Sequence, residues 1–236
     1  MKTFTHILFP VDFSARCQAT RPPVESWVRR FNAKVTLLHS IQIPLSAYGG
    51  PDGYPIVVDI PAMEEGATAR LRQFEFPGAE RVVKIGDPAF EIAQYAGNNA
   101  VDLIMMPTHG YGTFRSLLLG STAAKVLHDS HCPVWTNAHT ENPSAGSEIH
   151  NILCAVETAS GDLIKFAEEL AQAFGAKLET VHAEGGHVSQ VVREAALEAH
   201  ADLLVTGPGK VHEAFGQLRS NTYAIIRDSP CPVLSL

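Results

Sequence analysis

This chain contains a worn copy of itself, and a duplicated pattern excludes most architectures before any local reading begins. Ile7-Leu8-Phe9-Pro10-Val11-Asp12 corresponds to Ile152-Leu153-Cys154-Ala155-Val156-Glu157, and Phe31 through His39 corresponds to Phe174 through His182. Asp102-Leu103-Ile104-Met105-Met106 matches Asp202-Leu203-Leu204-Val205-Thr206, and each half closes on Cys-Pro-Val, at Cys132 and at Cys231. Duplication accounts for so many matches in one order better than coincidence does.

Each half alternates short aliphatic runs with longer segments of helical period. In the first half the strands fall at Ile7–Val11, Val35–His39, Arg81–Ile85, Leu103–Met106 and Val134–Thr136, with helices at Ala15–Phe31, Ala62–Phe74, Pro88–Asn98 and Ser121–Asp129. Runs apolar on both faces indicate parallel strands covered by helices on either side. Such alternation predicts an α/β fold with right-handed crossovers and a doubly wound parallel sheet, whose ligand site lies beyond the carboxyl ends of the strands where strand order reverses. The second half is too short after His182 for a second helix and a third strand. The expected division is residues 1–138 and 151–236 as two domains, joined by a linker over 139–150 that carries Asn142, Pro143, Ser144 and Gly146.

With 45% hydrophobic and 18% charged residues, the composition calls for packed cores rather than disorder. A net charge of −7 without a Lys/Arg cluster argues against nucleic acid as a partner. Four scattered cysteines form neither a disulfide framework nor a zinc spacing and read as reduced, packed thiols. No apolar run approaches the roughly 18 residues of a membrane span, and the opening segment ends its apolar stretch at Pro10 and Asp12 without a cleavage site. A cytoplasmic protein without a membrane segment is expected.

The chemistry concentrates between Pro107 and Thr122. An apolar strand runs into a loop holding Gly110, and nine residues later Gly120-Ser121-Thr122 opens a helix. Glycines admit an anion close to the backbone, and the first amides of a helix point unpaired N–H groups at it. These are the parts of a phosphate-binding site, and Asp12 follows the first strand on the same sheet edge.

With these residues the chain resembles the universal stress protein family in its tandem form. The likeness rests on the Ile-Leu-Phe-Pro-Val-Asp-Phe-Ser opening at 7–14, the Leu37-Leu38-His39 strand, the Gly110-x9-Gly120-Ser121 motif and the Cys-Pro-Val endings. It implies two adenine nucleotide α-hydrolase-like domains, the second shortened. It further implies ATP, with Mg2+ bridging the phosphates, in the first domain, and a stress-regulatory role. By the resemblance, Pro10 and Asp12 would meet the adenine–ribose side, Ser40 would offer its backbone to the base, and Met106 and Pro107 would line the pocket. Gly110, Gly120, Ser121 and Thr122 would surround the phosphates. ATP-binding members carry glycine where Pro107 stands, and proline has no N–H to give. That leaves open an alternative, a structural or interaction member without nucleotide. In the second half, Glu157, Lys210 and Arg219 replace Asp12, Gly110 and Gly120, so that half is expected to hold no nucleotide. Family members pair through their final strands, so Val134–Thr136 and Val233–Leu236 are expected to join the halves as a pseudo-twofold pair. A further homodimer of the tandem chain is left open.

Plainer roles stand beside these. Asp12 can assist Ser14 in capping the first helix. His39 and His182 suit hydrogen-bonded structural positions, His109 and Arg115 in the motif loop can either approach a phosphate or lie on the loop surface, and Glu64 and Glu65 suit a solvated face. His128, His131 and His139 lack zinc-helix spacing. No Ser-His-Asp order, paired carboxylates or activated cysteine emerges, so catalysis beyond slow ATP hydrolysis is not expected.

Overall fold

The computed structural model of the chain describes residues 3–43, 58–109, 119–138, 145–156, 161–183, 187–207 and 220–236. The first half runs β1 (His6–Pro10), α1 (Ala15–Phe31), β2 (Lys34–Ile41), α2 (Ile60–Gln73), β3 (Glu80–Ile85), α3 (Pro88–Asn98), β4 (Leu103–Pro107), α4 (Ser121–Asp129) and β5 (Val134–Asn137). The second runs β6 (Asn151–Val156), α5 (Gly161–Phe174), β7 (Lys177–His182), α6 (Val188–Glu198), β8 (Leu203–Thr206), α7 (Ser220–Asp228) and β9 (Val233–Ser235). Among the described residues, the second half lacks counterparts of α2 and β3, as its length led us to expect.

Local rules explain several element ends. Ser14 caps α1 by accepting the Cys17 amide at 3.1 Å, and Asn32 ends the helix in the left-handed region at φ +50°. Asp59 and Asp87 cap α2 and α3 in the same way, each followed by a proline in the first turn. The observed helices begin and end within two residues of the expected ones.

The strands form one nine-stranded sheet in the order β3-β2-β1-β4-β5-β9-β8-β6-β7. Every neighbouring pair is parallel except β5 and β9, which meet antiparallel with Trp135 opposite Leu234. The halves are therefore joined through their last strands, as the family resemblance implied. Strand order reverses between β1 and β4, so the crevice of the first half opens beyond Pro10 and Pro107. Each of these strands ends on a residue that brings no N–H to the ladder.

One face of the sheet carries α1, α2 and α5 over a core cluster that spans both halves. Trp27 packs on Phe174 at 5.1 Å between ring centroids, and its indole N–H donates to Gly146 O at 3.0 Å. The opposite face is covered by α3 and α4 in the first half and by α6 and α7 in the second, with Leu119 and Leu127 packed against both clusters. Ile149 is buried in the shared core, so the part of the expected linker over 145–150 is a packed connection. Residues 139–144 lie outside the described residues. β7 departs from the apolar-strand expectation, because Lys177, Glu179, Thr180 and His182 are all exposed. It is an edge strand, and the helix that would cover it is the one this half lacks.

Candidate functional site

The C-terminal edge of β1, β2 and β4, together with the start of α4, encloses a cavity of about 580 Å³. Pro10, Asp12, Ser40, Met106, Pro107, Gly120, Ser121 and Thr122 all line it. The remaining sequence candidate, Gly110, lies outside the described residues, as do Gly112, Arg115, Glu157, Lys210 and Arg219. The volume falls in the range of about 300–1,000 Å³ common to small-ligand sites.

Apolar contact and a few fixed polar groups make up its wall. Leu38, Ile92 and Met106 belong to the core cluster beneath α3 and α4, so that part of the wall is continuous with packed interior. Asp12 accepts the Ser14 amide at 2.9 Å, an Asx turn that supports the α1 cap; its remaining acceptor capacity sits at the cavity wall. Asp12 thus both supports the Ser14 cap and lines the cavity. Ser40 lines the cavity and donates its hydroxyl to Gly86 O at 3.0 Å, so toward a ligand that oxygen is left only to accept. His39 bonds Val11 O through Nδ1 at 2.7 Å. Facing a carbonyl, that nitrogen must carry the proton, which leaves Nε2 as the acceptor in the neutral ring. His182, its repeat partner, stands exposed on β7.

Phe13, next to Asp12, is held at φ +64°, a conformation rare for a large side chain. Its ring packs on His39 at 4.6 Å, and the Arg70 guanidinium lies 4.3 Å from the ring centroid. Nothing in the local pattern signals this stack, because it joins α2 to the loop after β1.

At the other end, Gly120 stands at the N-cap of α4 without any side-chain cap bond. Its own N–H donates to Thr108 O at 2.9 Å, and a Cβ on it would lie only 2.7 Å from that oxygen. The glycine is required by this close approach, since its φ of −60° suits any residue. The amides of Ser121, Thr122 and Ala123 that follow have no intrahelical acceptor, and all three residues line the cavity. His109 also lines the cavity, with Nδ1 2.9 Å from the Thr108 hydroxyl. Burial first, and then the charge of Arg16, holds its imidazole below the ordinary value of 6.5. From the sequence, Thr108, Gln42 and Leu119 are not assigned to the site, His39 reads as structural, and His109 reads as either a phosphate neighbour or a surface residue. Nearness in sequence to Pro107, Ser40 and Gly120 is the signal that could have included Thr108, Gln42 and Leu119.

The cysteines take no part. Cys17 is fully buried, and burial with the neighbouring Asp12 charge pushes its thiol up to about 12. Burial raises Cys154 and Cys231 to about 11. Among the described residues, no group of three or more His, Cys, Asp or Glu is arranged to hold a metal. No helix among them is long and apolar enough to cross a membrane.

Comparison with known proteins gives a family match over residues 3–136, described as the universal stress protein family. "Universal stress protein A homolog 2" of Coxiella burnetii is 36% identical over 108 residues, 44% of this chain and 73% of that protein. "Universal stress protein Slr1230" of Synechocystis is 31% identical over 135 residues, 57% of this chain but 43% of that longer protein. Among solved structures, a universal stress protein from Archaeoglobus fulgidus superposes with a TM-score of 0.66 at 21% identity, covering 99% of this chain and 96% of that one. A functionally unknown protein, PA1789 from Pseudomonas aeruginosa, covers 99% of this chain and 92% of that one with a TM-score of 0.64 at 16% identity. At these identities the two structures speak for the shared fold alone.

Proposed function

Because the chain belongs to the universal stress protein family, we propose that its first half binds an adenine nucleotide, ATP carrying Mg2+, and that occupancy regulates the protein in a stress response. The observation that carries this reading is the conjunction of an uncapped α4 start with an apolar slot in one cavity. Phosphates suit the open amides after Gly120, where the helix dipole also favours negative charge. The base suits the slot lined by Leu38 and Met106, with the Ser40 main chain at its edge. Asp12 can accept from ribose hydroxyls. With Asp12 the single carboxylate among the described lining residues, the cation would arrive bound to the phosphates. We treat ATP as a ligand, with residues 1–138 as the binding domain, 139–150 as the connection and 151–236 as its shortened partner. Cytoplasmic location fits four free cysteines.

Pro107 favours one alternative, a structural or interaction member that has given up nucleotide, since an amide contact at that position is unavailable. Equilibrium binding of labelled ATP with Mg2+ separates the two. Micromolar binding that Gly120→Arg abolishes supports the proposal. Absence of binding at millimolar ATP overturns it in favour of the alternative.

A further inference from the structure

The two halves meet on the α4 face through equivalent positions that carry different residues. Ala124 and Tyr223 are 99 positions apart, the same offset that sets Trp135 opposite Leu234 on the pseudo-twofold axis. Here the second half donates and the first accepts: Tyr223 Oη gives its hydrogen to Ala124 O at 2.9 Å. The small side chain at 124 leaves room for the large one at 223, an asymmetry that a pair of identical domains could not carry.

That bond opens a continuous path into the cavity wall. The Ala124 amide donates to Gly120 O at 2.9 Å, Gly120 N donates to Thr108 O at 2.9 Å, and Thr108 N donates to Asn137 O at 3.2 Å. On the apolar side, Leu119 lines the cavity and packs against the core clusters of both halves. The support matters because α4 is poorly secured on its own. It has only nine residues, and it lacks the side-chain cap that Ser14, Asp59 and Asp87 supply to α1, α2 and α3. A helix so short gains its order from tertiary contacts.

We propose that Tyr223 is a positioning residue for the anion-binding turn, so that the second half sets the affinity of the first half's site for phosphate. This rests on the nucleotide reading above. Coupling is reciprocal: a ligand that orders the start of α4 also tightens the α7 contact. The second half is then a buttress for the site rather than a spent duplicate.

Tyr223→Phe removes the hydroxyl and keeps the ring. Binding of Mg-ATP and of adenosine would be measured for both chains, along with hydrogen exchange of the unliganded proteins. We expect ATP affinity to fall about fivefold, the equilibrium factor of one ordinary net hydrogen bond, with adenosine affinity unchanged. The Gly120 and Ala124 amides should exchange faster in the variant. Equal ATP affinity in the two chains overturns the proposal, as does an equal loss for both ligands, which would mark a general interface contact. If the wild-type chain binds neither ligand, the nucleotide reading fails and exchange decides alone: unchanged exchange at those two amides overturns the buttress, and faster exchange upholds it.

Discussion

Adding one methyl group at Gly120 tests the geometry of the site directly. At φ −60° and ψ 143° the backbone admits alanine, so beyond alanine's modest disadvantage against glycine at an N-cap the effect must come from the contact the new atom makes. That atom would lie 2.7 Å from Thr108 O and 3.5 Å from His109 Cα. An ordinary carbon–oxygen separation is about 3.3 Å, so the chain at 108 and the start of α4 must part by roughly half an ångström. The hydrogen bond from Gly120 N to Thr108 O, 2.9 Å long, then stretches or breaks. Overpacking of this kind costs about 1–3 kcal/mol. In a chain of this size each kcal/mol lowers Tm by about 2–4 °C. Gly120→Ala should therefore melt visibly earlier in calorimetry. It should also bind Mg-ATP about tenfold more weakly or worse, since one hydrogen bond to a charged group is worth about 1.5–3 kcal/mol. A variant within about 0.5 kcal/mol of the wild type, as ordinary surface changes are, and with unchanged ATP affinity, would refute the claim that this close approach shapes the site.

Two further outcomes are expected. Gly66 lies exposed within α2, and a methyl group added there would meet nothing within 4 Å, so Gly66→Ala should raise stability by about 0.5–1 kcal/mol in chemical denaturation; a loss would contradict the helix there. His109 should titrate by NMR below 6.5 in the unliganded protein because burial and Arg16 disfavour its charged form. Between that midpoint and 6.5 the unfolded chain binds more protons, so this group's contribution to stability falls as pH drops through the window. Bound phosphate should raise the midpoint, and ATP affinity should rise as pH falls toward it; a midpoint unmoved by Mg-ATP would place the anion elsewhere.

Legibility in the sequence followed the range of the interactions involved. The span of α1 was readable from its helical period and from Ser14, whose cap acts within one turn. The candidate residues at the ends of β1, β2 and β4 fell together because parallel strands separated by helices leave their carboxyl ends on one edge. That argument needed only the order of apolar runs. It could not decide whether His109 faces the cavity or the surface, because that depends on the path of the chain after Pro107.

The sequence by itself determined the duplication, the α/β class, the shortened second half and the strand-end location of the candidate site, since periodicity, capping and proline chemistry act over a few neighbouring residues. Tertiary structure alone decided that Gly120 is needed for its approach to Thr108 O, that β7 stands exposed, and that Tyr223 reaches Ala124. Burial, close contact and desolvation arise between residues far apart in the chain, and they take a definite value only when the sheet has set those residues side by side.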